Sequence, residues 1–340
     1  MDSRNLPFCI RCGNLEPNAT PVYYRVRMET GRVKPLNFAA ERALELNAHG
    51  RDFEFCRFRF HFRATDAVHF PAGKSANVVR GSFGMLLRDT VSAPEYARLF
   101  EPGARLGRVP SGLGDWPRPF LFRAAHLDGL TVKPGSEFYF DLHVFDLRER
   151  VLSSFQSVFA RVAGEGLGPG RGRAELERVE SLGLGEEAAM TGDAAIVPSR
   201  IDLTPDVHPV RQARLQFRTP TELKAAGSVT SRPEFGVLFS RLRDRLSTLR
   251  ALYGAGPLDI DFRAMGERAD TVLLRHCELR WERVERKSGR TGQVHPIGGF
   301  TGFAEYEGEL AEFLPWLRAA RWVGVGRQTV WGKGDVRVMH

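Results

Sequence analysis

Four glycines punctuate the stretch Val323 to Val338, VGVGRQTVWGKGDVRV: Gly324, Gly326, Gly332 and Gly334. Arg327 and Lys333 stand between them, with Gln328, Thr329 and Trp331 supplying polar and stacking groups. Glycine loses more freedom on ordering than any other residue, so this density implies a backbone that bends tightly or passes close to something large. Backbone N–H groups in such a bend, with two cations beside them, suit a phosphate. Trp331 suits either stacking on a base or packing on a sheet. The plainer alternative is a glycine-marked hairpin carrying ordinary surface charges, closed by the alternating DVRV as a strand. The stretch is not a nucleotide-binding loop, because it contains no GxxxxGK[ST].

The elements that would position this bend are legible from periodicity. FEFCRFRFHF, Phe53 to Phe62, alternates strictly: Phe53, Phe55, Arg57, Arg59 and His61 share one face, and Phe58, Phe60 and Phe62 the other. The pattern predicts a strand whose Arg57–Arg59 face meets RNA or a neighbouring domain. SANVVRGSFGMLLRDTV follows as a helix, capped by Ser75 or Asn77, with Arg80 near its positive end where an anion would be welcome. Gly81 and Gly84 inside that helix cost about 1 kcal/mol each against alanine, which a close approach would justify. Strands are expected over 119–127, 137–146 and 173–182, and a helix over 151–163. That order, strand, helix, strand, strand, helix, strand, is the ferredoxin-like pattern.

The order then repeats. ARLQFRTP is a strand, Phe235 to Gly254 a long amphipathic helix, and strands follow over 271–286 and 294–308. ELAEFLPWLRAARWVG is a second helix, kinked at Pro315, before the glycine-rich stretch. The fold class is α+β, two tandem ferredoxin-like (RRM-like) βαββαβ domains. The expected division is an N-terminal extension over 1–50, a first domain over 51–183, a linker over 184–209 and a second domain over 210–340.

Composition narrows the partner. A 340-residue chain that is 42% hydrophobic and 26% charged is globular, and long enough for two cores. Its formal charge of +8 and pI near 9.6 favour an anionic partner. Four cysteines argue against a disulfide-stapled secreted protein. The opening lacks a signal peptide's apolar core, and no run is long and apolar enough to span a membrane, so a cytoplasmic protein with no membrane partner is expected. Cys9 and Cys12 form a CxxC, half of a zinc knuckle, but no second close pair completes four ligands. Two ordinary cysteines are the expectation, with structural zinc as the alternative.

The sequence resembles the CRISPR-associated endoribonuclease that cuts the precursor of guide RNA within its repeats, a member of the RAMP superfamily. RGSFGMLLR from Arg80, LQFRTPTELK from Leu215, FGVLFSRLRDRLSTLRALYG from Phe235 and GGFTGFAEYEGELAEFLPWLRAARWVGVGRQTVWGKG from Gly298 carry the likeness, in order, within residues 53–338. The last block is the specific one; the first fifty residues fall outside. The resemblance implies a basic cleft between two RRM-like domains, recognition of a CRISPR repeat RNA, and a glycine-rich loop that contacts it. It also implies cleavage without metal or other cofactor, in which a 2′-hydroxyl attacks the adjacent phosphate and leaves a 2′,3′-cyclic phosphate. With Arg57, Arg59 and Arg80 from the strand and helix patterns, the loop's Gly324, Gly326, Arg327, Gln328, Thr329, Trp331 and Lys333 make up the expected RNA-binding set.

Activating a 2′-hydroxyl wants a base that titrates near neutrality, commonly histidine. In the resembled family one often follows the first helix, whereas Asp89 to Arg108 holds none and offers Tyr96 and arginines. His69, in the loop before that helix, is the preferred candidate, with Tyr96, His126 and His295 behind it. His61, His143 and His276 lie inside strand patterns and read as packed residues. The competing function is a non-catalytic RAMP subunit that holds guide RNA in a CRISPR effector complex. The chain is expected as a monomer or homodimer.

Overall fold

The computed structural model describes residues 50–102, 116–147, 151–185, 196–287 and 292–339. Cys9, Cys12 and Arg108 fall outside these.

The first half begins with β1 (Asp52–Ala64), a 13-residue strand in which Phe58, Phe60 and Phe62 turn inward at alternate positions. A short ladder of β2 (Val68–His69) with β4 (Thr131–Val132) flanks α1 (Ser75–Arg88), α2 (Ala93–Phe100) and β3 (Phe120–Arg123). Then come β5 (Glu137–Val144), α3 (Leu152–Ala160), α4 (Val162–Glu165), β6 (Ala174–Leu182) and β7 (Ser199–Asp202). The sheet order is β3-β5-β1-β6, all antiparallel, with β7 pairing the first residues of β1. The stretch expected as linker therefore contributes a strand. Helices α1 and α3 cover one face, where Phe83 and Phe155 stack with centroids 4.4 Å apart.

The second half contains β8 (Gln212–Thr221), β9 (Leu223–Ala225), β10 (Ser228–Thr230), α5 (Phe235–Tyr253), α6 (Phe262–Ala269) and β11 (Leu273–Glu282). It closes with a hairpin of β12 (Glu285–Lys287) and β13 (Val294–Pro296), then β14 (Gly299–Glu307), α7 (Leu314–Val323) and β15 (Val336–Met339). Its sheet runs β11-β14-β8-β15, again antiparallel. In both halves the first strand of the βαββαβ unit sits between the third and the fourth, as the ferredoxin-like arrangement requires. Two corrections concern helix ends. Neither Ser75 nor Asn77 caps α1: Lys74 is the N-cap, and Asp128 Oδ1 accepts from Ser75 N at 2.9 Å instead. Pro315 does not kink α7, because the helix starts at Leu314 and the proline occupies its first turn, where no intrahelical N–H is needed.

The halves are not separate bodies on a string. Phe53 and Phe55 from the start of β1, with Leu121 and Phe145, belong to the same apolar cluster as Leu246, Trp322 and the rest of the second core. The Phe55 and Trp322 rings lie 5.5 Å apart. The β1 face that sequence alternation assigned to RNA or a neighbouring domain thus meets the neighbouring domain at its phenylalanine end.

The two α1 glycines differ. A Cβ on Gly84 would stand 2.2 Å from the Phe100 ring, so α2 packs where only hydrogen fits, whereas one on Gly81 meets nothing within 4 Å. Gly84→Ala is expected to lower stability by about 1–3 kcal/mol through overpacking, and Gly81→Ala to raise it by about 0.5–1 kcal/mol. Urea denaturation of the two variants beside the parent measures both, and equal shifts would contradict this packing.

Candidate nucleic-acid interface

The glycine-rich stretch is not a hairpin. It leaves the end of α7 at Gly324, makes one 3-10 turn over Thr329–Trp331, and enters β15. Gly324, Gly326, Gly332 and Gly334 all have φ between 70° and 80°, and Gln328 is left-handed at φ 66°. Space is as restrictive as φ: a Cβ on Gly326 would lie 2.4 Å from Glu222 O, and one on Gly332 would lie 2.4 Å from Ala76 Cβ at the start of α1. The expectation of a tight bend passing close to something large holds, and the large thing is the protein itself.

Its amides are mostly turned inward. Val325 N donates to Gly334 O, Arg327 N to Glu222 O and Gly334 N to Pro220 O, at 3.0–3.1 Å. Trp331 and Gly332 close the 3-10 turn on Gln328 and Thr329. The cradle of free N–H groups foreseen from glycine spacing is therefore largely committed to holding the loop's own shape. Lys333 is 4% exposed, and its Nζ donates to Gly73 O at 2.7 Å, tying the loop to the turn before α1. Burial pulls its pKa below the usual lysine value. Arg327 is the exposed cation, its guanidinium paired with the buried Glu222 carboxylate. Gln328 Nε2 donates to Pro296 O at 3.0 Å, which brings the β12–β13 hairpin and His295 alongside. Arg80 is buried, 4.4 Å over the Phe100 ring and 5.4 Å from the Trp331 ring, so Trp331 packs toward α1.

The carbonyls at the end of α7 explain how the loop is aimed. Arg123 Nη2 donates to Arg321 O at 2.9 Å, His143 Nδ1 to Trp322 O at 2.8 Å and Arg245 Nε to Val323 O at 2.6 Å. Three successive carbonyls that a helix leaves unpaired are met by donors from β3, β5 and α5. Burial, with the Arg123 charge, holds the His143 pKa down to about 3, so the ring is neutral and its Nδ1–H serves as a donor.

Beside this junction opens a groove of about 740 Å³, lined by Leu184 after β6, Gln216, Arg218 and Arg337 of the second sheet, and Arg318, Arg321 and Trp322 of α7. Arg218 and Arg337 both lean toward Asp335, at 3.9 and 3.4 Å, and Arg318 lies 3.5 Å from Asp206. Burial raises the Asp335 carboxyl, but Arg123, Arg337 and Arg218 outweigh it and hold the group below the usual range. These arginines were missed from sequence. The alternation Gln212, Arg214, Gln216, Arg218 along β8 carries the signal that would have found Arg218.

On the first sheet, Arg57 and Arg59 both clamp Asp141, at 2.6 and 2.7 Å, and Arg57 is buried. Arg59 lies 4.2 Å over the Tyr139 ring, against which His126 also stacks at 4.4 Å. His126 Nε2 bonds Tyr139 O at 2.9 Å, and burial lowers its pKa. His69 is exposed, its Nδ1 2.9 Å from Thr131 Oγ1. Tyr96 is half-buried in α2 with its ring 5.4 Å from Phe100. His295 is exposed on β13, opposite Arg286. The four candidates for acid–base work thus stand on separate elements: β2, α2, the 3-10 turn after β3, and the hairpin.

Residues 215–336 match the family model of the CRISPR-associated endoribonuclease Cas6. The match falls within the second half of the chain. Residues 53–200 match a second family model, described as an N-terminal domain. No curated protein matches the chain in sequence. Among solved structures, a Cas6 product complex aligns with TM-score 0.52 and 19% identity, over 84% of this chain and 99% of that one. A Thermus thermophilus Cas6 aligns at 0.50 and 18%, over 84% and 98%. A partial Cas6-RT-Cas1–Cas2 complex gives 0.55 and 11%, over 87% of this chain and 47% of that one. The resemblance read from the sequence and the tandem ferredoxin-like fold class are borne out.

A pH test follows from His143. The folded ring stays neutral down to about pH 3, whereas the unfolded ring protonates below about 6.5. Over that window the unfolded state binds the extra proton, so stability falls as pH drops, by up to about 1.4 kcal/mol per pH unit from this group. Replacing it as His143→Gln is expected to flatten the decline between pH 6.5 and 4.5, compared with the parent by urea midpoints; parallel curves would refute a neutral buried His143.

Proposed function

We propose that this protein is an endoribonuclease that binds CRISPR repeat RNA and cuts it to release guide RNAs, without metal. The observation that carries the reading is the Cas6 family match over residues 215–336, with its glycine-rich loop beside an arginine-lined groove at the junction of two ferredoxin-like halves. The division into domains at 51–183 and 210–340 belongs to the same proposal. An RNA strand in the groove would present phosphates to Arg218, Arg321 and Arg337, whose planar forks suit phosphate oxygens better than lysine would. Arg327 would reach it from the loop.

Cleavage by the RNA's own 2′-hydroxyl requires proton removal, charge stabilisation at the phosphorane and a proton for the leaving 5′-oxygen. It yields a 2′,3′-cyclic phosphate and a 5′-hydroxyl. His69 is our preferred base. Thr131 engages its Nδ1, which leaves Nε2 for the proton, and its loop runs directly into the Gly73 turn held by Lys333. His126 is tied by Nε2, Tyr96 lies half-buried among aromatics, and His295 sits on the opposite half. A second reading, an RNA-holding subunit of a CRISPR effector complex without catalysis, is favoured by one observation: α2, directly after α1, carries no histidine, and its Phe100 stacks under Arg80.

Incubation with cognate repeat RNA in EDTA is expected to give one defined cut with a cyclic phosphate end. His69→Ala should slow cleavage by about 10²-fold or more while leaving affinity within a factor of about two. Arg218→Ala and Arg337→Ala should each weaken binding and lower the salt slope by about 0.7 per lost single-strand phosphate contact. Tight binding with no cut at any pH would replace this reading with the effector-subunit one. A His69→Ala enzyme of parental rate would remove that residue from the chemistry.

A further inference from the structure

Asp335 stands where the glycine-rich loop becomes β15, and its backbone is already secured. Its N–H donates to Thr219 Oγ1 at 2.9 Å, and its carbonyl accepts from Arg218 N at 2.8 Å. Strand pairing here therefore asks nothing of the carboxylate, which is nonetheless buried among guanidiniums. Arg337 approaches its two oxygens at 3.4 Å, and Arg218 Nη1 lies 3.9 Å from Oδ2. A charge-assisted N–H···O bond is ordinarily about 2.7–2.9 Å long, and on the first sheet Arg57 and Arg59 meet Asp141 at 2.6 and 2.7 Å. The groove forks thus lean on Asp335 without being clamped by it. Their side chains stay 44% and 37% exposed, and both face the same oxygen, so a single phosphate can span them. Arg337 lies opposite Gln216 in the ladder, on the sheet face that also carries Arg218.

We propose that Asp335 is a specificity-determining residue for RNA in this groove, aiming the Arg218 and Arg337 forks at one phosphate and opposing any polyanion not seated there. This rests on the reading that repeat RNA lies in the groove. Sequence-independent binding follows the total positive field and requires no particular fork geometry. Binding in one register requires donors at fixed places. A carboxylate behind the forks subtracts from the first and supplies the second. Discrimination is a difference of two affinities, and a repulsive group set against the wrong complex raises it as a contact with the right one does. Although burial opposes its charge, Arg123, Arg337 and Arg218 hold Asp335 ionised at neutral pH. The repulsion is therefore present whenever the groove is open to RNA.

The test compares equilibrium binding of repeat RNA and of a shuffled RNA of equal length and composition, read by fluorescence anisotropy on the full chain. Asp335→Asn should bind the shuffled RNA about three- to tenfold more tightly and gain about 0.7 in salt slope, one further single-strand phosphate neutralised. Its affinity for repeat RNA should change by less than about twofold, so the ratio between the two falls. Arg123 draws on the same carboxylate, so the single variant is expected to melt lower, and the substitution is therefore repeated in an Arg337→Gln background. There it restores the parent's local charge, and shuffled RNA should bind more tightly than to Arg337→Gln alone by the same factor. A merely structural Asp335 would instead weaken both RNAs together, in step with a lowered melting temperature. That result overturns the proposal, as does an equal gain for both RNAs, or no gain for shuffled RNA in either background. A parent that binds the two RNAs alike removes the repeat-RNA reading itself, and the proposal with it.

Discussion

The end of α7 is where the two halves become one object. Its last carbonyls, on Arg321, Trp322 and Val323, cannot bond within the helix, and Trp322 and Val323 are buried. Unpaired, each would carry a desolvation penalty of about 1–3 kcal/mol. The chain answers with Arg123, His143 and Arg245, one donor per carbonyl. Two are cations at the negative end of a helix, where the macrodipole adds to the hydrogen bond. Because Arg123 and His143 belong to the first sheet, the same bonds that terminate the helix fix the position of the halves relative to each other. The glycine-rich loop starts at the next residue, so its origin is set by this junction.

From that origin the loop is held at three further points: by Glu222 at Arg327, by Gly73 at Lys333 and by Ala76 at Gly332. Rigidity of this kind suits a binding element, since a pre-shaped loop loses little entropy when a ligand arrives. It also changes which atoms would meet a ligand. With the amides occupied and Lys333 buried, the exposed polar surface is Arg327 and the neighbouring groove arginines.

Much of this was legible in the residues, and the boundary has a physical cause. Strict alternation in FEFCRFRFHF gave β1, because a strand buried on one face repeats every two residues. The order of such elements gave the tandem ferredoxin-like pattern, and the final block carried the resemblance that the family model over residues 215–336 bears out. Pairing was not legible, because ion-pair and hydrogen-bond partners are set by topology rather than by neighbours along the chain. Arg57 finds Asp141 at a separation of 84 residues, and Lys333 finds Gly73 at 260. Hence the surface cations inferred from sequence, Arg57 and Lys333, are buried ties, while Arg218 and Arg337, unnoticed, face the groove. The Ser75 cap failed for the same reason: Asp128, far along the chain, does that work.

The groove itself shows how a protein can hold several arginines close together before any ligand is present. Arg123, Arg218 and Arg337 would repel one another across a small distance. Asp335, nearly buried, sits among all three and remains ionised because they do. One carboxylate does not cancel three guanidiniums, so the cluster keeps a residual positive field while each side chain stays oriented. On the first sheet the balance differs: Arg57 and Arg59 share Asp141, while Arg63 reaches both Glu137 and Glu177. Positive charge is thus largely offset on one sheet face and left in excess at the junction.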